Sequence, residues 1–303
     1  MIRPLTLERA RGAAASGARA RLLAGIPVAE RRLPLAGIPT AVLEGGHGPP
    51  MILLHGPGEF AAKWWRVLPD LTARHRVIAP DLPGHGASEG ADERLDAERV
   101  RAWLDALIER TCPSPPIVVG HVLGGAIAAR FAVSHPGRLG RLVLVDSLGL
   151  APFRPSPRFA LSMVHFMVRP SEQSYDRFMR QCSHDVDALR EGMGARWEPF
   201  VAYTLDRARS PSTSAVRRLM REVGLPAIPA EALERIDTPT FLVWGRHDRA
   251  NRLAIAEAAS ARFGWPLHVI DDCADDPARD RPGAFLRVLE AIVRTAPDRE
   301  AAA

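Results

Sequence analysis

Several side chains that could carry acid–base chemistry follow short β-like runs of this sequence. They are Glu59, His121, Asp248 and Asp275. Carboxyl and imidazole groups are the usual general acids and bases of enzymes, and two carboxyl groups in one dry pocket can hold a single proton between them. The sequence therefore offers groups for proton transfer, provided that its secondary-structure elements bring them together.

The elements that would position these side chains alternate between β-like runs and helical periodicity from about residue 31 onward. The β-like runs are 32–35, 40–44, 51–55, 76–79, 117–120, 141–146, 240–245 and 266–270. The helical stretches between and after them are 60–74, 94–110, 123–135, 253–263 and 282–295. Because the later β-like runs are continuously apolar, the alternation predicts a mainly parallel sheet that is covered by helices on both faces.

Five motifs lie at the ends of these runs. They are Leu53–Gly58, Asp81–Ser88, Val118–Gly125, Trp244–Asp248 and Cys273–Pro277. Their order and spacing resemble the α/β-hydrolase superfamily, in which a strand–turn–helix bend reads Gly-x-Ser-x-Gly. The resemblance covers residues 31–295 and implies an α/β fold: a mostly parallel eight-stranded sheet with helices on both faces and an inserted helical cap.

At the bend, the position of the family's nucleophilic serine holds Val122. Gly120 and Gly124 permit the tight turn that presents this side chain at the top of the sheet, above the N-terminus of a helix. Valine has no lone pair with which to attack a carbonyl carbon. The resemblance therefore implies an atypical member without the usual serine, which does not cleave esters or amides through an acyl-enzyme.

The histidine position of the family holds Asp275. The family's loop reads Gly-His-x-Pro, and the corresponding run here is Ala274-Asp275-Asp276-Pro277. The flanking residues align without a gap, so a carboxylate replaces the imidazole. Loss of both groups indicates natural specialisation rather than a deliberate single mutation.

Asp248 matches the acid position of the family, and the resemblance places it near Asp275. Two carboxyl groups in one pocket would raise one pKa and could act as a general acid or base near neutral pH. In the alternative interpretation, Asp248 caps its own loop and Asp275 turns to solvent or to an arginine such as Arg246 or Arg279. We predict Asp248 and Asp275 as the catalytic residues, because Asp146, the family's alternative acid, matches less well.

The oxyanion hole implied by the resemblance is altered as well. One donor of the family follows the His-Gly pair, where this chain has Pro57 and therefore no N–H group. Gly58 could replace it if the loop shifts, and the bend keeps the second donor. The predicted substrate-binding residues are Pro57, Gly58, Glu59, His121, Val122 and Leu123. Alternative roles are open for two of them: a first-turn acid at a helix N-terminus for Glu59, and a structural residue for His121.

The regular alternation stops between residues 147 and 236, where helix-like segments are broken by Pro and Gly. We interpret 147–236 as a helical cap inserted into a core of residues 29–146 and 237–303. Residues 1–28 are interpreted as an N-terminal extension that forms a loose amphipathic helix or stays mobile.

Composition argues against several classes of function. The formal charge is +5 and the pI is near 9.8, but charges of both signs are interspersed, so we predict no nucleic-acid partner. The three cysteines lie far apart and no GxGxxG motif is present, so we predict no metal site and no cofactor. The first twenty residues lack a continuous apolar stretch, so we expect no signal peptide, no membrane partner and a cytoplasmic location.

Three functions remain open at this point. The leading hypothesis is cofactor-independent, non-hydrolytic chemistry of the isomerase, epimerase, cyclase or lyase type on a bulky hydrophobic metabolite or peptide. The first alternative is a non-catalytic protein that binds a small molecule or peptide. The second alternative is a hydrolase in which Asp248 and Asp275 activate water.

Overall fold

An eight-stranded sheet organises the chain. The computed structural model describes residues 16–88 and 95–295. Across the sheet the strands lie in the order β1-β2-β4-β3-β5-β6-β7-β8. Their bounds are β1 Ala29–Leu35, β2 Ile38–Gly45, β3 Pro50–Leu54, β4 Arg76–Pro80, β5 Ile117–His121, β6 Arg141–Val145, β7 Thr240–Gly245 and β8 Leu267–Ile270.

Most of the sheet is parallel. The strands from β4 to β8 in the spatial order run parallel to one another, whereas β1 pairs antiparallel with β2 and β2 with β4. The central strand β5 lies between β3 and β6, with Val118 paired to Ile52 on one side and Leu142 on the other. This topology confirms the α/β-hydrolase fold that the motifs predict.

Helices fill the connections between the strands. Residues 16–23 are helical and are named α1. The other α-helices are α2 Leu68–Thr72, α3 Ala97–Thr111, α4 Leu123–Ser134, α5 Pro157–Val168, α6 Glu172–Cys182, α7 Val186–Met193, α8 Trp197–Ala208, α9 Thr213–Leu219, α10 Ala230–Leu233, α11 Leu253–Phe263, α12 Pro277–Asp280 and α13 Pro282–Arg294. Shorter turns are the 3₁₀ helices Ala61–Arg66 and Gly194–Arg196 and the π-helix Met220–Gly224.

The predicted helix at 60–74 is divided in two in the structure. The 3₁₀ helix Ala61–Arg66 comes first, and α2 follows it with Pro69 in its first turn. Proline is compatible with the first turn of a helix but not with a helix interior, so a new helix begins at this point.

Successive residues of the strands contact helices on opposite faces of the sheet. Val119 of β5 belongs to a buried cluster that includes Trp64 and Phe285, and Val118 belongs to a second cluster that includes Trp103 and Phe131. This alternation follows from the two-residue repeat of a β-strand. Both faces of β5 are therefore buried, which fixes the strand that leads to the bend.

Between β6 and β7 the described chain is helical, from α5 to α10, and we call this region the helical insertion. Tyr175, Met179 and Phe200 of the insertion are buried in the same cluster as Trp64. The first part of the insertion therefore packs onto the sheet face that carries the 3₁₀ helix Ala61–Arg66, whereas Leu219 and Val223 from its later part are buried in the other cluster. The exact division into core and cap stays a prediction.

The N-terminal region packs against the same cluster. Ala18 and Leu22 of α1 are buried in it, whereas residues 1–15 of the predicted extension lie outside the described residues. No helix within residues 16–88 and 95–295 combines the length and the apolar composition that crossing a membrane requires.

Candidate active site

A sharp bend between β5 and α4 lies at the centre of the candidate site. Val122 is the bend residue, with φ 48° and ψ −102°, a conformation that is strained for a β-branched side chain. Two glycines allow the backbone to approach closely. A Cβ atom at Gly120 would lie 2.6 Å from the Gly124 carbonyl oxygen, and one at Gly124 would lie 2.4 Å from that of Leu54. Any larger residue at these two positions would push the bend away from the sheet.

The side chain of Val122 lies in a small apolar cluster. Val122 is 8% exposed and is buried together with Ala126 and Leu148. Phe153, which precedes α5, and Met220 of the π-helix pack against these residues. The helical insertion therefore covers the bend with apolar side chains.

Three buried carboxyl groups lie at the ends of neighbouring strands. Asp146 follows β6, Asp248 follows β7 and Asp275 follows β8, and these residues are 0%, 6% and 9% exposed. Because the three strands are adjacent and parallel, their carboxyl ends meet at one edge of the sheet. Backbone groups hold two of the side chains: the Gly245 N–H donates to Asp146 Oδ1 at 3.0 Å, and the Ala250 N–H donates to Asp248 Oδ1 at 2.6 Å.

Asp146 and Asp248 influence each other's ionisation. Asp146 Oδ2 and Asp248 Oδ2 are both buried without a hydrogen-bond partner. Two ionised carboxylates close together would repel each other in a dry site, which favours the protonated form of one of them. Burial, with the charge of Asp248 added, raises the pKa of Asp146 well above its usual value, and burial raises the pKa of Asp248 to about 7.

Asp275 is the most exposed of these three carboxyl groups. Burial raises its pKa well above the usual value; Arg279 opposes this increase, and the charge of Asp248 adds to it. Arg279 Nη2 lies 3.6 Å from Asp275 Oδ1, whereas Arg246 pairs with Asp271. The structure thus contains parts of both interpretations of the sequence, because Asp248 caps its own loop and also acts electrostatically on Asp275.

A cluster of buried charges lies beside the bend, and we call it the Lys63 cluster. Lys63 Nζ lies 3.1 Å from Glu59 Oε2, 2.7 Å from His121 Nδ1 and 3.0 Å from Asp276 Oδ2. Ligand atoms of Glu59, His121 and Asp276 are within 4.8 Å of one another, a spacing that could hold a metal ion. Because the Lys63 ammonium group contacts all three, it already supplies the positive charge, and the cluster does not fit an additional cation.

His121 connects the Lys63 cluster to Asp275. His121 Nε2 lies 2.6 Å from the Asp275 carbonyl oxygen, so this nitrogen donates a hydrogen bond. Lys63 Nζ donates to His121 Nδ1, because an ammonium nitrogen has no lone pair with which to accept. The end of β5 is therefore tied to the loop that carries Asp275.

Both carboxylates of the Lys63 cluster are kept ionised. Burial alone would raise the pKa of Glu59, but the Lys63 ammonium group, with smaller contributions from His121 and the Arg279 guanidinium group, holds it well below its usual value. Burial likewise opposes ionisation of Asp276, and Lys63 and Arg279 outweigh it and lower the pKa. The negative charges of Glu59 and Asp276 are therefore balanced by the positive charges of Lys63 and Arg279.

The loop expected to form an oxyanion hole has one backbone donor engaged and one missing. The Gly56 N–H donates to Glu59 Oε2 at 2.7 Å, and Pro57 has no N–H. Gly58 adopts a positive φ of 71°, which allows the chain to turn after Pro57. Leu123 is the first residue of α4, so its N–H has no acceptor within the helix and is the donor available next to the bend.

Two surface cavities lie away from the bend. One of about 440 Å³ lies beside α11, and one of about 570 Å³ lies beside α1 and β1. Neither of these two cavities is lined by Val122, Asp248 or Asp275. Phe153 and Met220 instead pack against the cluster around Val122.

Comparison with known proteins decides the family. A family model described as the alpha/beta hydrolase fold matches residues 49–193. Over 228 residues, the chain is 30% identical to the 2-hydroxy-6-oxo-6-(2'-aminophenyl)hexa-2,4-dienoic acid hydrolase of Metapseudomonas resinovorans, a span of 73% of this chain and 75% of that protein. The protein belongs to the α/β-hydrolase superfamily.

Other α/β-hydrolases are similar over most of the chain. The pimeloyl-(acyl-carrier protein) methyl ester esterase of Aeromonas hydrophila is 27% identical over 261 residues, which is 82% of this chain and 96% of the esterase. The solved structure of the 2-hydroxy-6-oxo-6-phenylhexa-2,4-dienoate hydrolase of Rhodococcus sp. strain RHA1 is 25% identical with a TM-score of 0.77, and it covers 88% of this chain and 99% of that one.

These relatives correct the function inferred from the sequence. All three are named as hydrolases or esterases. The leading hypothesis of non-hydrolytic isomerase, epimerase, cyclase or lyase chemistry is therefore wrong, and the non-catalytic alternative is overturned with it. The error came from treating an aliphatic residue at the bend of an α/β-hydrolase as the loss of hydrolysis itself.

Among the residues that this α/β-hydrolase brings to the site, the sequence did not single out Lys63 and Asp276, and it named Arg279 and Asp146 only as alternatives. Lys63, Asp276 and Arg279 surround Glu59 and His121, and Asp146 interacts with Asp248. One signal for Lys63 was available, since it is the only lysine of the chain and follows Glu59 by four residues. The contact between Lys63 and Asp276 has no local signature, because it joins parts of the chain more than two hundred residues apart.

Proposed function

We propose that this α/β-hydrolase hydrolyses an ester of an apolar acid and that it activates water with a carboxylate instead of forming an acyl-enzyme. The observation that carries the proposal is the combination of Val122 at the bend with Asp275 at the end of β8. The names of the relatives support hydrolysis, and the aliphatic bend residue argues against a covalent intermediate at that position.

Asp275 is the general base in this proposal. It is the most exposed of the three strand-end carboxyl groups, and burial and Asp248 make its carboxylate more basic than usual. The Asp275 carboxylate takes a proton from water, and the water oxygen attacks the carbonyl carbon of the substrate. The same proton then passes from Asp275 to the departing alkoxide, so that the ester and water become an acid and an alcohol.

The remaining groups assist without reacting. The Leu123 N–H, at the N-terminus of α4, is directed toward the developing negative charge on the carbonyl oxygen. His121 is a positioning residue, because it holds the Asp275 carbonyl oxygen on one side and Lys63 on the other. Asp248 adds to the effect of burial in raising the pKa of Asp275 through its negative charge.

An apolar acyl group suits the surroundings of the bend. Val122, Leu148, Phe153 and Met220 form an apolar floor and cover. An alkyl chain or ring that displaced Phe153 and Met220 would bury its own apolar surface in their place, which favours binding by about 25 cal/mol per Å². Charged acyl groups would have no partner at Val122.

Hydrolysis of a set of methyl and p-nitrophenyl esters of straight-chain and aromatic acids tests the proposal. We expect turnover by the wild type, no labelling by a fluorophosphonate serine probe, and a loss of about 10²- to 10⁴-fold in kcat for Asp275→Asn. Ser147→Ala, a buried residue that follows Asp146, is the matched control against a hidden serine nucleophile and should keep its turnover. Stoichiometric labelling of the wild type by the probe, or full turnover by Asp275→Asn, would contradict the proposal.

A second experiment restores the serine and histidine of the family. The double variant Val122→Ser with Asp275→His should react with the fluorophosphonate probe, because the bend presents a hydroxyl group and Asp248 lies where it can orient the imidazole. The single variant Val122→Ser should react more slowly than the double variant, because the Asp275 carboxylate activates a hydroxyl group less well than an imidazole does. Failure of the double variant to react would show that residue 275 does not face the bend.

A further inference from the structure

The outer face of α5 is apolar. Leu161, Val164, Met167 and Val168 are 73%, 51%, 50% and 70% exposed. They are four of the five large hydrophobic side chains that are exposed in the described part of the chain, and Leu225 is the fifth. Leu161, Val164 and Val168 follow the spacing of one helical face, so they form a continuous stripe rather than scattered exposures.

The inner face of the same helix is firmly packed. Phe159 and Ser162 are buried, and the ring of Phe166 lies 5.7 Å from that of Phe178 and 5.4 Å from that of Tyr175. The side chain of Ser156 accepts a hydrogen bond from the Phe159 N–H and caps the helix. The apolar outer face therefore belongs to a well-anchored helix, and residues 16–88 and 95–295 leave it exposed.

Positive charge borders this apolar face at both ends. Arg158 lies one turn before Leu161 on the same side of α5, Arg154 precedes the helix and Arg169 follows it, and all three are exposed. Residues 151–171 contain these three arginines and no acidic residue. Within residues 16–88 and 95–295, none of the three arginines lies within ion-pair distance of a carboxylate.

This charge pattern favours one of the possible binding partners of the apolar face of α5. A second copy that placed its own α5 on this face would bring arginines against arginines, which is unfavourable. Residues 1–15 carry three arginines and one glutamate and have the same sign of charge as the border of the face. An anionic lipid surface supplies apolar chains for the aliphatic residues and phosphate groups for the arginines, without requiring polar groups on the helix face.

We propose that the outer face of α5 docks on an anionic lipid surface, with Leu161, Val164 and Val168 inserted among the acyl chains and Arg158 and Arg169 at the headgroup phosphates. The expectation from the sequence, no membrane partner, considered membrane spans and anchors but not a surface helix. Docking places the insertion next to the bilayer at the point where the chain, through Phe153, covers the Val122 cluster. The proposal does not depend on the reaction that the protein catalyses.

Co-sedimentation of the full chain with vesicles tests the docking. Vesicles of phosphatidylglycerol and phosphatidylcholine in equal amounts should bind the wild type, vesicles of phosphatidylcholine alone should bind it much more weakly, and high salt should weaken the binding to anionic vesicles. The triple variant Leu161→Ser, Val164→Ser and Val168→Ser should bind the anionic vesicles about tenfold or more weakly. The control variant Leu225→Ser removes the exposed hydrophobic residue outside α5 and should bind like the wild type.

A second variant separates charge from apolar contact. Arg158→Gln with Arg169→Gln should also reduce binding to the anionic vesicles while leaving the apolar stripe and the folding of α5 intact. Failure of the wild type to bind anionic vesicles at low salt, or equal binding by the triple variant and the wild type, would overturn the proposal. A wild type that is dimeric in solution and becomes monomeric in the triple variant would also overturn it, because a second copy would then be the occupant.

Discussion

Lys63→Met should destabilise the protein in a manner that depends on pH. The variant keeps most of the alkyl chain of Lys63 but removes the ammonium group that contacts Glu59, His121 and Asp276 at 2.7–3.1 Å. Removing one partner of a buried ion pair costs about 3–5 kcal/mol. Arg279 remains 3.7 Å from Glu59 and 3.4 Å from Asp276 and compensates in part, so we expect a loss at the lower end, about 3 kcal/mol at pH 7.

The pH dependence has a definite sign. In the wild type the folded-state pKa values of Glu59 and Asp276 are lower than their unfolded values. Their contribution to stability is therefore complete above the unfolded pKa values, about 4, and is lost as the pH falls through the folded values. Without Lys63 the two folded-state pKa values rise, the groups are protonated more easily, and the deficit of the variant should shrink between pH 7 and pH 5.

Urea unfolding at pH 7 and pH 5 measures this effect. Arg262→Met is the matched control, because it removes the exposed pair with Glu234 and should cost less than about 1 kcal/mol at either pH. A loss below about 1 kcal/mol for Lys63→Met, or a deficit that grows toward pH 5, would refute the assignment of Lys63 as the counter-charge of this cluster.

Three further predictions concern the strand ends and the bend. Asp248→Asn should stabilise the protein at pH 8 by about 4 kcal/mol at most. The pKa of the wild-type carboxyl group is raised from 3.8 to about 7, so this group lowers the free energy of unfolding as the pH rises between those values. In thermal unfolding from pH 5 to 8, the melting temperature of the variant should therefore depend less on pH than that of the wild type. Gly124→Ala should prevent folding or cost more than about 3 kcal/mol, since its Cβ would lie 2.4 Å from a backbone oxygen. Gly17→Ala, where the Cβ meets nothing within 4 Å, should be neutral or stabilise α1 by about 0.5–1 kcal/mol, as judged by the same urea titration. The kcat/KM for ester hydrolysis should rise with pH as Asp275 ionises and then level off, and a rate that falls over the same range would contradict its role as a base.

The fold could be predicted because its determinants are local. Short windows of sequence show the apolar runs, the glycines at 120 and 124 and the motifs after the strands. The apolar runs correspond to strands of the sheet, and the glycines and motifs correspond to the turns at the strand ends. The division of 60–74 into two helices was missed because the effect of Pro69 on the helix start was outweighed by the apolar periodicity around it. Residue propensities give only a weak signal for where a helix is interrupted. The packing of Trp64 against the sheet determines where this interruption lies.

The site was harder to predict because its residues interact across long separations. Asp248 and Asp275 were named from motif positions, but the interaction of Asp146 with Asp248 depends on how β6 and β7 lie side by side. Lys63 has no motif at all, and its role follows only from the buried charges that surround it. The function was misjudged for a related reason: an aliphatic residue at the bend excludes one route to hydrolysis but not hydrolysis as a whole.

The valine at the bend has a mechanical consequence for the helical insertion. Its strained backbone, at φ 48°, holds two methyl groups upward, and Phe153 and Met220 rest on the cluster that these methyl groups form with Ala126 and Leu148. The size of the side chain at residue 122 thus sets the distance between this part of the insertion and the sheet. A smaller side chain at this position would let Phe153 and Met220 move closer to the sheet, and a larger one would move them away from it.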